Sequence, residues 1–166
     1  MDYDYFVVLI VLFFIAMLAV VVSVTENKHI IKLLFAFYIV GVVVNTLLDR
    51  TYSSKLQFLL NPFRKYVAIG KGIASDGMES FSKNERIITE ILLNYFLFVP
   101  MGFLVPVLKE NFRRLWKILL LGLVCSFCIE SAQLLLHMGC FEVADLVHNS
   151  LGAGIGFGIW WKWMRE

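Results

Sequence analysis

The sequence predicts an all-α membrane protein: a polytopic helical bundle of about five transmembrane helices, with an interfacial segment between the second and third. Of its 166 residues, 60% are hydrophobic and 17% are charged, whereas soluble domains are roughly half apolar and about a quarter charged. The apolar residues also gather into blocks. The first block, residues 5–24, has no charged side chain and matches the ~20 apolar residues that a bilayer-spanning helix requires.

Four further blocks of spanning length follow, at residues 30–48, 91–108, 118–136 and 146–161. They divide the chain into two N-terminal transmembrane helices within residues 1–48, a connector at 49–86, and a core of three transmembrane helices within 87–163. Pro100 and Pro106 fall inside the third block, where we expect them to kink the helix, as neighbouring helices in a membrane permit.

Basic residues in the short loops predict the orientation, because cytoplasmic loops carry an excess of Lys and Arg. Lys28 and Lys32 follow the first span, four basic residues lie at 109–117, and the 137–145 loop has none. We therefore expect the N-terminus outside and the C-terminus in the cytoplasm. The connector at 49–86 weakens this prediction, because we expect it outside although it carries seven basic residues.

Within the connector, an apolar stretch at residues 56–63 precedes Arg64 and Lys65. Amphipathic segments of this kind lie in the membrane interface, with their basic side chains near lipid phosphates. We therefore predict that Arg64 and Lys65 contact lipid headgroups. A solvated connector is the alternative interpretation.

Polar side chains recur on one face of several predicted helices, although a charge at the bilayer centre costs about 2.5–3.5 kcal/mol on insertion scales. In the predicted topology these polar faces all lie at the outer ends of the spans. They predict one outward-facing ligand pocket, lined by Asn94, Glu130, Gln133, Asp145, His148 and Asn149. The alternative is that the amides only hold helices together, contributing roughly 0.6–2 kcal/mol for each hydrogen bond.

Small residues indicate close packing between the last spans. Gly152 and Gly156 form a G-x-x-x-G pair, a spacing that lets two helix backbones approach each other. Pro100 and Gly102 in the third span complete the positions to which we assign a structural role.

One combination of motifs is specific: an E-x-x-Q pair in the fourth span, followed by D-x-x-x-N-x-x-G in the fifth. The residues concerned are Asn94, Phe98, Pro100 and Gly102, then Glu130 and Gln133, then Asp145, Asn149 and Gly152. In order and spacing they resemble the VanZ-like family of bacterial membrane proteins, and the resemblance covers about residues 56–162. It implies a multi-pass protein of the bacterial plasma membrane and teicoplanin-type antibiotic resistance.

The sequence departs from this family at one place. Members typically carry an arginine shortly before the aspartate, and often a second aspartate beside it. Here the corresponding positions are Gly139 or Cys140, and Ala144. If that arginine completes a charge pair or contacts the ligand, its loss would weaken or change the activity.

We therefore expect a non-enzymatic protein of the cell envelope that binds or shields a lipid-linked wall component or a lipoglycopeptide. Its partners would be membrane lipids and that ligand, with no nucleic acid, no cofactor and no metal. The alternative is an intramembrane enzyme or a flippase acting on a lipid-linked substrate. An enzyme would use Glu130 or Asp145 as general base, with His148 or His137 as its partner.

Overall fold

A computed structural model describes residues 27–48, 57–76 and 84–164. This part of the chain forms five α-helices: α1 (Lys28–Val43), α2 (Arg64–Asp76), α3 (Glu85–Leu108), α4 (Leu115–Leu135) and α5 (Val143–Trp163). A π-helical turn, Val44–Leu48, extends α1, and a short 3-10 helix, Glu110–Phe112, joins α3 to α4. Two short strands, β1 (Phe58–Leu59) and β2 (Phe141–Glu142), complete the fold.

Three helical segments are long and apolar enough to cross a membrane: Lys28–Leu47, Glu85–Leu108 and Leu115–Leu135. They correspond to the second, third and fourth predicted spans and fit a membrane protein. The first predicted span, residues 5–24, lies outside the described residues. The fifth is a helix, α5, but its polar side chains and four glycines make it less apolar. Five transmembrane helices therefore remain a prediction.

Helix α3 is the central element of the bundle. Every residue from Phe98 to Pro106 is buried, so this stretch is surrounded by protein on all sides. The helix is continuous through Pro100 and Pro106. Tyr38 of α1 donates a hydrogen bond to the Leu97 carbonyl at 2.7 Å, which fixes α1 against the same region. Helix α3 also begins at Glu85, six residues before the predicted apolar block, so its first turns carry polar side chains.

Glycines bring α3 and α5 into direct backbone contact. A Cβ on Gly152 would overlap the Tyr95 carbonyl oxygen, and a Cβ on Gly156 would overlap that of Val99. From the other side, a Cβ on Gly102 would overlap the carbonyl oxygen of Ala153. Any larger residue at these positions would push the two helices apart, as expected for helix packing through small residues.

A short parallel strand pair attaches the connector to the segment directly before α5. Phe58 lies opposite Phe141, and Leu59 lies opposite Glu142. The Phe141 amide also donates to the Gln57 carbonyl at 2.9 Å. The sequence predicted an interfacial segment here without assigning the strand or the helix α2 that follows it.

His137, two residues after the end of α4, has left-handed backbone geometry with a φ of 56°. The Met138 amide donates to the Gln133 carbonyl, and the His137 amide donates to that of Leu134. This pair of hydrogen bonds is the Schellman arrangement that closes many helices. His137, which we considered as a partner for a catalytic base, therefore has a structural function at the end of α4.

Replacing Gly152 or Gly156 with alanine should destabilise the protein, because each new methyl group would overlap a carbonyl oxygen of α3. Overpacking of this kind costs about 1–3 kcal/mol. The measurement is the Tm of the detergent-purified protein. Gly158→Ala is the matched control on the same helix, since a Cβ on Gly158 meets no atom within 4 Å in the described structure. Equal Tm values for all three variants would contradict the close contact between α3 and α5.

Candidate functional site

Lys65 is the centre of an ionic cluster at the end of the bundle where α3 and α5 begin. Its Nζ lies 3.0 Å from Asp145 Oδ1, 3.0 Å from Glu142 Oε2 and 3.7 Å from Glu90 Oε2. The Lys65 side chain is only 7% exposed. We call these four residues the Lys65 cluster. Because its members come from α2, β2, α3 and α5, the cluster joins the connector to the core.

The strand pair explains how Lys65 reaches this position. Leu59 of β1 lies beside Glu142 of β2, so the connector passes directly over the start of α5. The Asn61 side chain then accepts a hydrogen bond from the Phe63 amide at 2.9 Å, a local turn that starts α2. Lys65 lies in the first turn of α2 and is the helix's only buried residue among those whose side chains are described.

The carboxylates keep Lys65 charged in spite of its burial. Burial lowers the pKa of Lys65, but Asp145 and Glu142 raise it, and the net direction is upward from the ordinary value of 10.5. The contribution of this charge to stability is therefore complete below pH 10.5 and is lost only as the pH rises through the raised pKa. Within the described residues, one buried ammonium faces three carboxylates, of which Glu90 has a second cation, Arg86, at 3.5 Å.

Glu130, on α4, contacts the backbone of one member of the Lys65 cluster, Glu142. Its residue is 3% exposed, and its Oε2 accepts a hydrogen bond from the Glu142 amide at 2.8 Å, immediately before α5 begins. Asp145 lies in the first turn of the same helix. Helix N-termini carry unpaired amides and a partial positive charge of about half an elementary charge, which stabilises nearby carboxylates. Glu130 and Asp145 are therefore both held at a site suited to anions.

His148 lies one turn further along α5 and is 1% exposed. Its Nε2 is 2.9 Å from the Tyr66 hydroxyl, and its Nδ1 is 3.9 Å from Asp145 Oδ1. Burial raises the pKa of Tyr66 to about 12, and Tyr95 acts in the same direction, so the hydroxyl remains protonated at neutral pH. Tyr66 can donate to Nε2, and in that tautomer the imidazole hydrogen is on Nδ1, facing Asp145.

Asn149 and Gln133 form hydrogen bonds between neighbouring helical segments. Asn149 Nδ2 donates to Ser126 Oγ at 2.8 Å, and this hydroxyl lies 3.4 Å from the Asp145 carbonyl. Gln133 Nε2 donates to the Thr46 carbonyl at 2.8 Å, in the π-helical turn after α1. Both amides thus make the interhelical hydrogen bonds of the alternative interpretation. Among the described residues, however, Asn149 Oδ1 and Gln133 Oε1 are buried and lack a hydrogen-bond partner.

The predicted pocket residues therefore meet only in part. Glu130, Asp145, His148 and Asn149 lie in one connected network around Lys65, whereas Gln133 is directed towards α1.

Two further positions that the sequence singled out, Asn94 and Arg64, lie on α3 and α2. Asn94 is half-buried on α3, one turn after Glu90. Arg64 is exposed at the start of α2, so its contact with lipid headgroups stays a prediction. Lys65, for which we expected the same contact, has its side chain buried among carboxylates instead.

Three residues that contact the predicted site residues carried no signal of their own in the sequence. Glu142 and Tyr66 lie in loop or connector segments without helical periodicity of polar residues, and Thr46 contributes a backbone carbonyl. The strand pair between β1 and β2 is the feature that would have indicated the first two, but each strand has only two residues. In the described ranges, no group of three His, Cys, Asp or Glu side chains is arranged to hold a metal ion.

A model of the VanZ/LLP1 family matches residues 5–165, nearly the whole chain. The chain belongs to the VanZ/LLP1 family. The match extends the resemblance, seen over about residues 56–162, through both predicted N-terminal spans. No curated protein and no solved structure matches the chain.

The arginine that the VanZ-like resemblance leads one to expect before Asp145 is absent here, yet Asp145 does not lack a cation. Lys65 supplies one from the connector, 80 residues earlier in the chain. The departure at Gly139 and Cys140 therefore does not leave this carboxylate as an isolated buried charge.

Replacing Lys65 with methionine should strongly destabilise this VanZ/LLP1 protein, because Asp145 would remain as an uncompensated buried carboxylate. Breaking a buried ion pair costs 3–5 kcal/mol, and we expect about 3 kcal/mol because Glu90 and Glu142 are partly exposed. The measurement is the Tm in detergent.

Lys71→Met is the control for this change, since Lys71 is exposed on the same helix. Adding Asp145→Asn to Lys65→Met should recover part of the loss, because the unpaired charge is then removed. If Lys65→Met unfolds at the same temperature as Lys71→Met, the ion pairs contribute no stability and the expectation is wrong.

Proposed function

We propose that this VanZ/LLP1 protein binds or shields a lipid-linked cell-wall component, or a lipoglycopeptide, at the end of the bundle that carries the Lys65 cluster. The observation that supports this function is the burial of Glu130, Asp145 and His148 within one network in a protein with membrane-spanning helices. Ionisable groups inside such bundles are costly, and they typically mark a ligand or ion site.

The proposal places this end of the bundle on the outer side of a bacterial plasma membrane, with the C-terminus in the cytoplasm. The charges of the short loops support that orientation, although the longer connector places Arg64 and Arg86 at the cluster end. Residues 109–114, at the opposite end of α3 and α4, include Lys109, Arg113 and Arg114, whereas the turn between α4 and β2 has no Lys or Arg. A ligand attached to the outer leaflet would then reach the cluster without crossing the membrane.

A binding function is favoured because the buried carboxylates already have partners within the protein. Lys65 neutralises Asp145, and Glu130 accepts from a backbone amide, so neither carboxylate is positioned as a free general base. His148 is 1% exposed, which keeps its ring away from a substrate at the surface. Charged groups held in this way can recognise a ligand without chemical reaction.

The alternative function, an intramembrane enzyme, is favoured by one observation. His148 lies between Tyr66 and Asp145, an order in which the imidazole would relay a proton if its 3.9 Å separation from Asp145 shortened to hydrogen-bond distance. Under this alternative, purified protein would convert labelled undecaprenyl-linked lipid, and His148→Gln would abolish the product. Unchanged lipid with the wild-type protein would count against it.

Expression of the wild-type protein in a Gram-positive host should raise the teicoplanin concentration needed to stop growth, and Asp145→Asn or Glu130→Gln should return it to the level of an empty vector. The reason is that each change removes a buried charge from the proposed ligand site. The measurement is susceptibility to teicoplanin, with vancomycin in parallel, after membrane insertion has been verified by blot.

Glu110→Gln is the matched control for this assay, because Glu110 is 79% exposed at the opposite end of the bundle. It should behave like the wild type. If tolerance persists in well-inserted Asp145→Asn and Glu130→Gln variants, the function does not depend on the ionic network. Wild-type protein without any effect would mean that tolerance to this antibiotic is not its activity.

A further inference from the structure

The Lys65 cluster has the composition of a binding site for a primary ammonium group. Three carboxylate oxygens surround one point, at 3.0, 3.0 and 3.7 Å from the Lys65 nitrogen. An alkylammonium ion has three N–H donors and one positive charge, and thus matches three acceptors in number and in sign. In the described structure a side chain of the protein itself fills this position.

A second observation indicates that the acceptor group is more than a structural ion pair. His148 Nδ1 is fully buried and lacks a hydrogen-bond partner among the described residues, and it faces the same Asp145 oxygen that binds Lys65, at 3.9 Å. Buried polar atoms of membrane proteins seldom remain unpaired. This distance is too long for a hydrogen bond, so Nδ1 has an unused hydrogen-bonding position directed at the carboxylate that holds the cation.

The ion pairs of Lys65 are the buried attachment of α2 to the core. The other α2 residues whose side chains are described are half-buried or exposed, and Tyr66 adds polar contacts with His148 and Tyr95. Displacement of Lys65 by another cation would remove the buried ion pairs and weaken the attachment of α2. A segment that has lost buried contacts opens at lower free-energy cost.

The surface beside the cluster is suited to an alkyl chain. Phe58, Leu60 and Phe63 are 59%, 66% and 67% exposed, and they lie directly before α2 in the chain. Val67 and Ile73 add further exposed apolar surface along α2 itself. A ligand that carries an ammonium group on an apolar body could place both parts here at once.

We propose that Glu90, Glu142 and Asp145 bind the primary ammonium group of an amphiphile, and that Lys65 occupies this position until such a ligand displaces it and releases α2. This inference rests on the proposed function, because it names the chemical class that the binding site accepts. The ammonium can belong to an aminated lipid headgroup or to another amphiphilic amine, and the experiment separates these sources.

The test uses the purified full-length protein in nanodiscs and three probes of equal chain length: n-octylammonium, octyltrimethylammonium and octanol. Octyltrimethylammonium keeps the charge but has no N–H donor, and octanol has no charge. We expect only n-octylammonium to increase amide hydrogen exchange in residues 64–76 of the wild type, as Lys65 leaves the carboxylates. Equal effects of n-octylammonium and octyltrimethylammonium, or no effect of either, would overturn the proposal.

Removal of the competing side chain provides an independent measurement. Lys65→Ala should bind n-octylammonium about tenfold more tightly than the wild type, because the ligand no longer has to displace a charge-assisted contact. It should also recover Tm when this probe is added. Lys71→Ala, altered at an exposed position of the same helix, should match the wild type. If Lys65→Ala does not fold, the exchange measurement on the wild type decides alone.

Nanodisc composition then identifies the source. Higher exchange in residues 64–76 with phosphatidylethanolamine than with phosphatidylcholine, at equal phosphatidylglycerol content, supports a lipid headgroup. Equal exchange in both, with n-octylammonium still active, supports an amine from outside the bilayer. Because these measurements do not involve an antibiotic, the ammonium site can hold when the susceptibility assay fails, and it can fail while antibiotic tolerance still depends on Asp145.

Discussion

The direct backbone contact between α3 and α5 is the constraint on which the site depends. Gly152 lies against the Tyr95 carbonyl, and Gly156 lies against that of Val99. With side chains at these positions the helices would stand further apart, and Glu90 on α3 would move away from Asp145 on α5. Membrane helices associate without a hydrophobic force between them, so such close packing is a main source of their stability. The same contact that holds the bundle together therefore sets the spacing of the carboxylates.

This spacing brings several carboxylates close together, and the Lys65 ammonium compensates their negative charge. A buried carboxylate without a partner costs several kcal/mol, and repulsion between neighbouring carboxylates adds to that cost. Asp145 and Glu130 are both buried, and each has a specific compensating group: the Lys65 ammonium for one, the Glu142 amide for the other. Glu142 and Glu90 are 20% and 45% exposed, so water shares the stabilisation of their charges. The two most buried carboxylates thus each have a specific partner in the protein, and the two more exposed ones are also stabilised by water.

The parts of this fold that hydropathy controls were predictable from the sequence. Three apolar blocks became long helices, and the glycine spacing in α5 indicated the close approach that the structure contains. The polar faces also pointed to Asp145, His148 and Asn149, because a helix places residues three and four apart on one side. These predictions depend on local periodicity, which a single sequence displays directly.

Lys65 could not be assigned in this way, because its environment depends on a contact between segments about 80 residues apart. A strand pair of two residues each brings Leu59 beside Glu142, and no periodicity reports such a short element. A basic residue after an apolar stretch has the same local pattern whether it faces lipid phosphates or buried carboxylates. The exposed Arg64 and the buried Lys65 are adjacent in sequence, so only the direction of each side chain separates the two environments.

The position of Lys65 changes what must be regarded as one functional unit. Hydropathy divides the chain into a connector at 49–86 and a core at 87–163, yet the cation of the site comes from the first and its carboxylates from the second. Asp145 requires a positive charge near the start of α5. Any segment of the chain that reaches this position can supply it. A lysine on α2 meets the need, and it also makes the attachment of α2 dependent on that charge. In this protein, the helix that neutralises the site is therefore also attached to the core through it.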